Sequence, residues 1–175
     1  MYLKERWKGL RPSYYTPTTT SSMSFGPGKW VLINVKYAHG LAHKASLALS
    51  EGDHQSLIAS LLHGGGNQQW DFMPTGSGTY YIKNASSSKF IAFSGDANDG
   101  RQVITTSGPR AWEVRVGYEG IHQKDARSSI RIFVPGTSKN LDLKDHGNSA
   151  AGSIVQLWTQ NSDQDQAWYF ERARI

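Results

Sequence analysis

The segments QQWDFMP (Gln68–Pro74), RAWEVRV (Arg110–Val116) and QAWYFER (Gln166–Arg172) are three versions of one short pattern. Each has a tryptophan at its third position, preceded two positions earlier by glutamine in the first and third segments and by arginine in the second. A tryptophan buries a large apolar area, and a glutamine amide can pair with turn backbone groups that would otherwise lack partners. The repeated Q-x-W pattern therefore predicts three equivalent core residues, Trp70, Trp112 and Trp168.

Each of these segments ends a longer repeat whose first strand is also recognisable. The segments GKWVLIN (Gly28–Asn34), GTYYIKN (Gly78–Asn84) and SSIRIFV (Ser128–Val134) begin 50 residues apart and carry large apolar residues at their third and fifth positions. This period of two predicts half-buried strands. Two further strands are predicted in every repeat, with the sequences SLALS and LIASLL, FIAFS and RQVITT, and NLDLK and SIVQLW.

Four strands in each of three repeats predict an all-β domain of twelve strands, joined by turns rich in Gly, Asn, Asp and Ser. A propeller would need at least about four blades. Three four-stranded units around a pseudo-threefold axis instead form a β-trefoil, whose closure removes exposed strand edges. The predicted repeats cover about residues 24–75, 76–118 and 119–173, and a chain of 175 residues suits one such domain.

The composition excludes several other classes of protein. There is no cysteine, so neither a disulfide framework nor a thiolate metal site is possible. No apolar run approaches the roughly 20 residues of a membrane span, and the N-terminus lacks the apolar region of a signal peptide. We therefore expect a cytoplasmic protein that does not insert into membranes.

The positive charge is concentrated at the N-terminus. The net charge is +5, but residues 1–22 contain four Lys or Arg against one Glu. The body of the protein thus lacks a strong basic footprint for nucleic acid. Residues 1–22 are also rich in Ser, Thr and Pro without hydrophobic periodicity, which predicts a flexible extension before a domain at residues 23–175.

Over roughly residues 24–173, the repeated Q-x-W segments make this sequence similar to the ricin B-type (R-type) β-trefoil lectins, in particular the cysteine-free, single-domain forms known from fungi. The resemblance implies a carbohydrate-binding protein that is not an enzyme and has no cofactor. In that family each repeat can hold one shallow sugar pocket. Its pattern is an Asp on the second strand, a Gln and an aromatic residue on the third, and an Asn directly before the Q-x-W.

The third repeat matches this family pattern best. It supplies four of the positions, with Asp142, Gln156, Trp158 and Gln166. Asp165 stands where the family has Asn, and its carboxylate can accept but not donate a hydrogen bond to a sugar hydroxyl. His146, in the loop after the second strand, is a candidate at the periphery.

The first two repeats depart from the family pattern. The first has Ala48 at the Asp position and Leu62 at the aromatic position. The second has Ala92 at the Asp position and Arg110 in place of the Gln. The resemblance therefore implies one working sugar site, in the third repeat.

The chemistry of the third-repeat residues supports the same function. A carboxylate accepts two hydroxyl protons, and the face of an exposed tryptophan suits the C–H patch of a galactose-type sugar. In VQLW and LDL the apolar residues alternate with Asp142, Gln156 and Trp158, which places these three side chains on the outward face. The family resemblance points the same way and implies glycans that contain galactose or N-acetylgalactosamine as partners. The alternative is purely structural, with Trp158 in the core and Asp142 capping a turn.

A second class of function also fits the fold. Cysteine-free fungal β-trefoils include protease inhibitors that act through surface loops, and no sequence rule locates such loops. For a lectin, a single shallow site gives weak affinity, about millimolar. A homodimer would supply the second site that useful avidity needs.

The spacing of His39 and His43 is the H-x-x-x-H spacing of helical metal sites. However, Gly40 and the flanking strand segments predict that both histidines lie in a loop. The sequence thus predicts no metal site.

Overall fold

The computed structural model describes residues 25–38, 44–116, 129–148 and 150–174. Within these ranges the chain forms twelve strands, in the order that the repeats predict. The strands are β1 (Lys29–Asn34), β2 (Ala45–Leu49), β3 (Leu57–Leu61), β4 (Trp70–Pro74), β5 (Thr79–Asn84), β6 (Phe90–Ala92), β7 (Ile104–Thr106), β8 (Ala111–Val116), β9 (Ser129–Phe133), β10 (Lys139–Leu143), β11 (Val155–Thr159) and β12 (Trp168–Arg172).

The helical segments in the described residues are short. Three are 3-10 helices, at Val35–Tyr37, Gly66–Gln68 and Gln164–Gln166. The fourth is a helical turn at Lys144–Gly147. No helix in the described ranges is long and apolar enough to cross a membrane.

The first and fourth strands of the three repeats close into a barrel. The antiparallel pairs run from β1 through β4, β5, β8, β9 and β12 back to β1. The second and third strands form three hairpins, β2–β3, β6–β7 and β10–β11. This six-stranded barrel with one hairpin per repeat confirms the all-β fold class and the β-trefoil with pseudo-threefold symmetry.

The three repeated tryptophans lie in one core. Trp70, Trp112 and Trp168 are fully buried, as predicted. The indole Nε1 of Trp70 donates a hydrogen bond to the backbone oxygen of Leu47, and that of Trp112 donates to the backbone oxygen of Ile91. Each of these indoles therefore ties a fourth strand to the second strand of its own repeat.

The prediction of half-buried first strands holds for only part of the barrel. Strand β5 alternates between buried and partly buried residues, whereas β9 is buried along its whole length. The outward side chains of β9 are covered, because Arg131 bonds the loop before β12 and the Arg115 guanidinium lies over the Phe133 ring. The prediction from sequence alternation that β9 is only half buried is therefore wrong for its outer face.

Several predictions concern residues outside the described ranges. These are the flexible extension at residues 1–22 and the loop that contains His39 and His43. The first described residue, Phe25, is buried in the aromatic cluster, with its ring stacked on Phe72 at a centroid distance of 4.0 Å.

Candidate functional site

A cleft of about 240 Å³ opens over the hairpin β10–β11 of the third repeat. Five of the six residues predicted for the sugar site line it, and Gln166 does not. The lining residues are Asp142, Lys144, Asp145, His146, Gln156, Trp158, Asn161 and Asp165.

Asp142 and Gln156 form the floor of this cleft. They face each other across β10 and β11, and Gln156 Nε2 donates a hydrogen bond to Asp142 Oδ1 over 2.9 Å. Their neighbours on the opposite face, Leu141 and Leu157, are fully buried in the core. The predicted alternation, with the leucines facing inward and Asp142 and Gln156 on the other face, is therefore correct.

The expected exposure of the two floor residues is wrong. Asp142 is only 5 % exposed and Gln156 only 7 %. Both residues lie at the bottom of the cleft, between Trp158, Asp165 and the turn Lys144–Gly147. At the edge of the hairpin, Gln102 of the second repeat forms a β-bridge with Gln156. Burial raises the pKa of Asp142 above its ordinary value, although hydrogen bonds from the Gln156 and Gln166 amides oppose this rise.

Gln166 is fully buried and acts beneath the floor of the cleft. Its Nε2 donates to Asp142 Oδ2 over 3.0 Å and to the backbone oxygen of Thr159 over 3.1 Å. Its Oε1 accepts from Arg131 Nη1 over 2.8 Å and from the backbone NH of Asn161 over 3.0 Å. Gln166 therefore positions Asp142, and the prediction that it lines the sugar site is corrected.

Arg131 is a supporting residue that the sequence did not reveal. It is buried, and its guanidinium donates to the backbone oxygens of Asn161 and Asp163, both over 2.9 Å, in addition to Gln166. A signal was present, because Arg131 stands where the first strands of the other repeats have Val31 and Tyr81. A cation at that position of a barrel strand needs buried acceptors.

Trp158 forms one wall of the cleft and is 40 % exposed, as predicted. A loop of the second repeat packs beside it, and a Cβ atom on Gly100 would lie 4.0 Å from Trp158 Cζ3. The backbone of that loop pairs with β11, since Gly100 NH donates to the Leu157 oxygen and Leu157 NH donates to the Arg101 oxygen. Two repeats thus build the wall that presents the indole ring.

Asp165 and the turn Lys144–Gly147 form a second wall of the cleft. Asp165 is 3 % exposed, and burial, together with the charges of Asp142 and Asp163, raises its pKa to about 6. His146 is exposed and has a left-handed backbone, with φ at 53°. The turn packs so closely on this wall that a Cβ atom on Gly147 would lie 2.9 Å from Asp165 Cβ.

The strand register identifies the equivalent positions in the other repeats. In the first repeat Ile58 lies opposite Ala48, just as Gln156 lies opposite Asp142 in the third. Trp158 follows Gln156 by two positions, so the residue equivalent to Trp158 in the first repeat is Ser60. The prediction that assigned Leu62 to the aromatic position is therefore off by two residues.

The second repeat gives the same result by the same register. Ala92 lies opposite Ile104, and Thr106 occupies the position of Trp158. At these positions neither of the first two repeats has a carboxylate, an amide or an aromatic ring.

Comparison with protein families places most of the chain in one of them. The family model described as "Ricin-type beta-trefoil lectin domain-like" matches residues 23–106 and, in a second overlapping match, 66–158. A search of curated protein sequences finds no significant match.

Solved structures with the same fold include fungal lectins. The chain is 30 % identical to the Macrolepiota procera ricin B-like lectin, solved in complex with lactose, with a TM-score of 0.74 over 86 % of this chain and 99 % of that one. The Rhizoctonia solani agglutinin is 21 % identical, with a TM-score of 0.68 over 86 % and 98 % of the two chains. A designed threefold symmetric protein, ThreeFoil, is 19 % identical and shares the fold with a TM-score of 0.68 over 82 % and 98 %.

Proposed function

The chain belongs to the ricin-type β-trefoil lectin family, and from this membership we propose that it binds glycans containing galactose or N-acetylgalactosamine through the cleft of the third repeat. The role is binding and not catalysis. The lactose complex of the Macrolepiota procera lectin supports galactose as the recognised sugar, because lactose ends in galactose.

The observation that carries this proposal is the exposed Trp158 ring beside the buried carboxylate of Asp142. An indole face packs well against the C–H patch of a galactose-type ring. A carboxylate accepts charge-assisted bonds from two hydroxyls, and its orientation here is held by two amide donors, Gln156 and Gln166. Because the floor is pre-ordered, the sugar does not have to order it on binding.

The missing groups in the first two repeats support a single site. A cleft of about 460 Å³ near Asn67 lies in the first repeat, but Ala48 and Ser60 supply neither the acid nor the ring. One shallow site implies an affinity of about millimolar. A homodimer would raise the avidity by bringing two such sites together.

Titration with lactose, followed by NMR chemical shifts, tests the proposal. We expect Trp158→Ala and Asp142→Asn each to weaken lactose binding by about tenfold or more, because each removes about 1–2 kcal/mol of stacking or charge-assisted bonding. Ser60→Ala and Thr106→Ala are matched controls at the equivalent register positions and should bind lactose as the parent does. Thermal unfolding verifies that each variant is folded.

Lactose binding that is unchanged in both Trp158→Ala and Asp142→Asn would move the site elsewhere. A wild-type protein that binds no galactose-containing glycan on an array, and that inhibits a cysteine or serine protease, would replace the lectin proposal with the inhibitor function.

A further inference from the structure

At the edge of the same cleft, three side chains with metal-binding groups meet. The ligand atoms of His146, Asp163 and Asp165 all lie within 4.8 Å of one another. They come from two separate segments, the turn Lys144–Gly147 and the 3-10 helix Gln164–Gln166, which contains Asp165 and directly follows Asp163. Their spacing in sequence gives no sign of this cluster.

One carboxylate oxygen in this cluster is buried without a hydrogen-bond donor. Asp165 is 3 % exposed, and its Oδ1 has no partner among the residues that the structure describes. The neighbouring Asp142 differs, because each of its oxygens accepts from an amide. A buried carboxylate oxygen that lacks a donor is unfavourable unless a ligand satisfies it.

The backbone around the cluster is held by other contacts, which leaves the side chains available. The backbone oxygen of Asp163 accepts from Arg131, and that of Asp165 accepts from Asn34 Nδ2 over 2.9 Å. The backbone oxygen of His146 accepts from Lys36 Nζ. His146 and Asp163 are exposed, so an ion can reach the cluster from solvent.

The charges around the cluster favour a cation. Four carboxylates lie at this wall and floor, those of Asp142, Asp145, Asp163 and Asp165. Two lysines lie near them: Lys144 lines the cleft, and the ammonium group of Lys36 donates to the His146 backbone. The mutual repulsion of the carboxylates is relieved when a divalent ion binds among them.

We propose that His146, Asp163 and Asp165 bind a divalent transition-metal ion, with Zn²⁺ as the preferred ion. One imidazole nitrogen with two carboxylates suits Zn²⁺ and its neighbours in the first row, whereas Ca²⁺ and Mg²⁺ take oxygen ligands. Three protein ligands leave a coordination position open to water or to a hydroxyl group of a molecule in the cleft.

Calorimetric titration of the metal-stripped full chain with ZnCl₂ tests the proposal. We expect one Zn²⁺ per chain, with affinity reduced at least tenfold in His146→Ala and in Asp163→Asn, since loss of even an outer-shell partner costs about 10–100-fold. CaCl₂ under the same conditions should give no binding.

Two matched variants control for general effects of charge and of histidine. His54 has the same left-handed backbone, with φ at 53°, in the first repeat, so His54→Ala should bind Zn²⁺ like the parent. Asp145→Asn removes a carboxylate from the same turn that is not in the cluster and should reduce affinity less than Asp163→Asn.

An absence of Zn²⁺ binding, or binding that persists unchanged in His146→Ala and Asp163→Asn, would overturn the metal site. Lactose titration in EDTA is a separate measurement of sugar binding. Failure of the metal site and failure of the lectin proposal are therefore distinguishable.

Discussion

The floor of the cleft depends on a chain of hydrogen bonds between buried side chains. Arg131 donates to Gln166, Gln166 donates to Asp142, and Gln156 donates to the other oxygen of Asp142. The cation at the start of this chain never touches the cleft. Its effect on a ligand would be indirect, through the orientation of Asp142 and of the loop that holds Asp163.

Arg131→Met should both destabilise the protein and weaken lactose binding. The substitution leaves the backbone oxygens of Asn161 and Asp163 without their donor, at a cost of about 2 kcal/mol in the free energy of unfolding, or about 4–8 °C in the melting temperature. Calorimetric unfolding and lactose titration measure the two effects.

Arg115→Met is the matched control, because Arg115 lies directly opposite Arg131 on β8. Arg115 pairs with the partly exposed Glu113 and lies over the Phe133 ring, so the same substitution should cost only about 1 kcal/mol and leave lactose binding intact. If Arg131→Met were as stable as Arg115→Met, the loop carbonyls would not need the guanidinium.

Asp165→Asn should make the protein more stable at neutral pH. The raised pKa, about 6 against 3.8 for a free side chain, means that the folded state binds the proton more tightly than the unfolded state. The contribution of Asp165 to stability is therefore lost as pH rises from about 4 to 7, and asparagine removes this loss. The charged and titratable groups facing Asp165 are Asp142, Asp163, Lys36 and His146.

Melting temperatures measured in EDTA from pH 4 to pH 8 check this prediction. We expect Asp165→Asn to melt at least about 2–4 °C above the wild type at pH 8, equivalent to about 1 kcal/mol, with the difference shrinking towards pH 4. Asp53 is a control whose pKa shift has the opposite sign, because hydrogen bonds from Ser56 lower its pKa. Asp53→Asn should destabilise at every pH between 5 and 8, without that trend.

At the scale of single elements, the fourth strands show which part of the repeated pattern is structural. The fully buried Gln68 accepts from the backbone NH groups of His63 and Gly64, both over 2.9 Å, and donates to the Leu61 oxygen over 2.7 Å. In the second repeat, the Arg110 guanidinium instead lies 3.9 Å from the centre of the Phe93 ring. The glutamine closes a loop, whereas the arginine covers an aromatic ring.

Gln68→Ala should therefore destabilise the protein far more than Arg110→Ala. Removal of three hydrogen bonds at a buried position costs about 2–3 kcal/mol. Loss of a cation–π contact at a partly exposed position costs about 0.5–1 kcal/mol. Urea unfolding curves give both values, and equal costs would show that the glutamine is not the structural part of the pattern.

At the scale of the whole molecule, the described residues close the barrel, and Phe25 lies where they begin. Phe25 completes an aromatic cluster that contains Trp30, Phe72, Tyr80 and Phe170, with ring centroids 4.0–5.4 Å from its own. The domain boundary predicted at residue 23 lies two positions before this core residue.

A chain that begins at Met23 should melt within about 2 °C of the full chain and bind lactose equally. Phe25→Ala should instead cost about 3 kcal/mol, because a large buried ring is removed. Differential scanning calorimetry compares the two. A large loss of stability in the shortened chain would place residues 1–22 in the fold.

Much of the architecture follows from the sequence by itself. The period-two alternation, the Q-x-W segments and the repeat of about 50 residues determine the twelve strands, the threefold arrangement and the buried tryptophans. The same periodicity correctly placed Trp158 outside the core. Each strand and each Q-x-W segment is formed by a few consecutive residues, so these features can be predicted from short stretches of sequence.

The character of the cleft was decided only by the tertiary structure. Periodicity reports which face of its own strand a side chain occupies, but it cannot report what lies over that face. Asp142 and Gln156 are buried at the bottom of a cleft that Asp165 and the turn Lys144–Gly147 also line, and Gln102, more than 50 positions away, pairs with Gln156 at the strand edge. The positioning role of Arg131 and the meeting of His146 with Asp163 likewise arise from contacts between segments that only folding brings together.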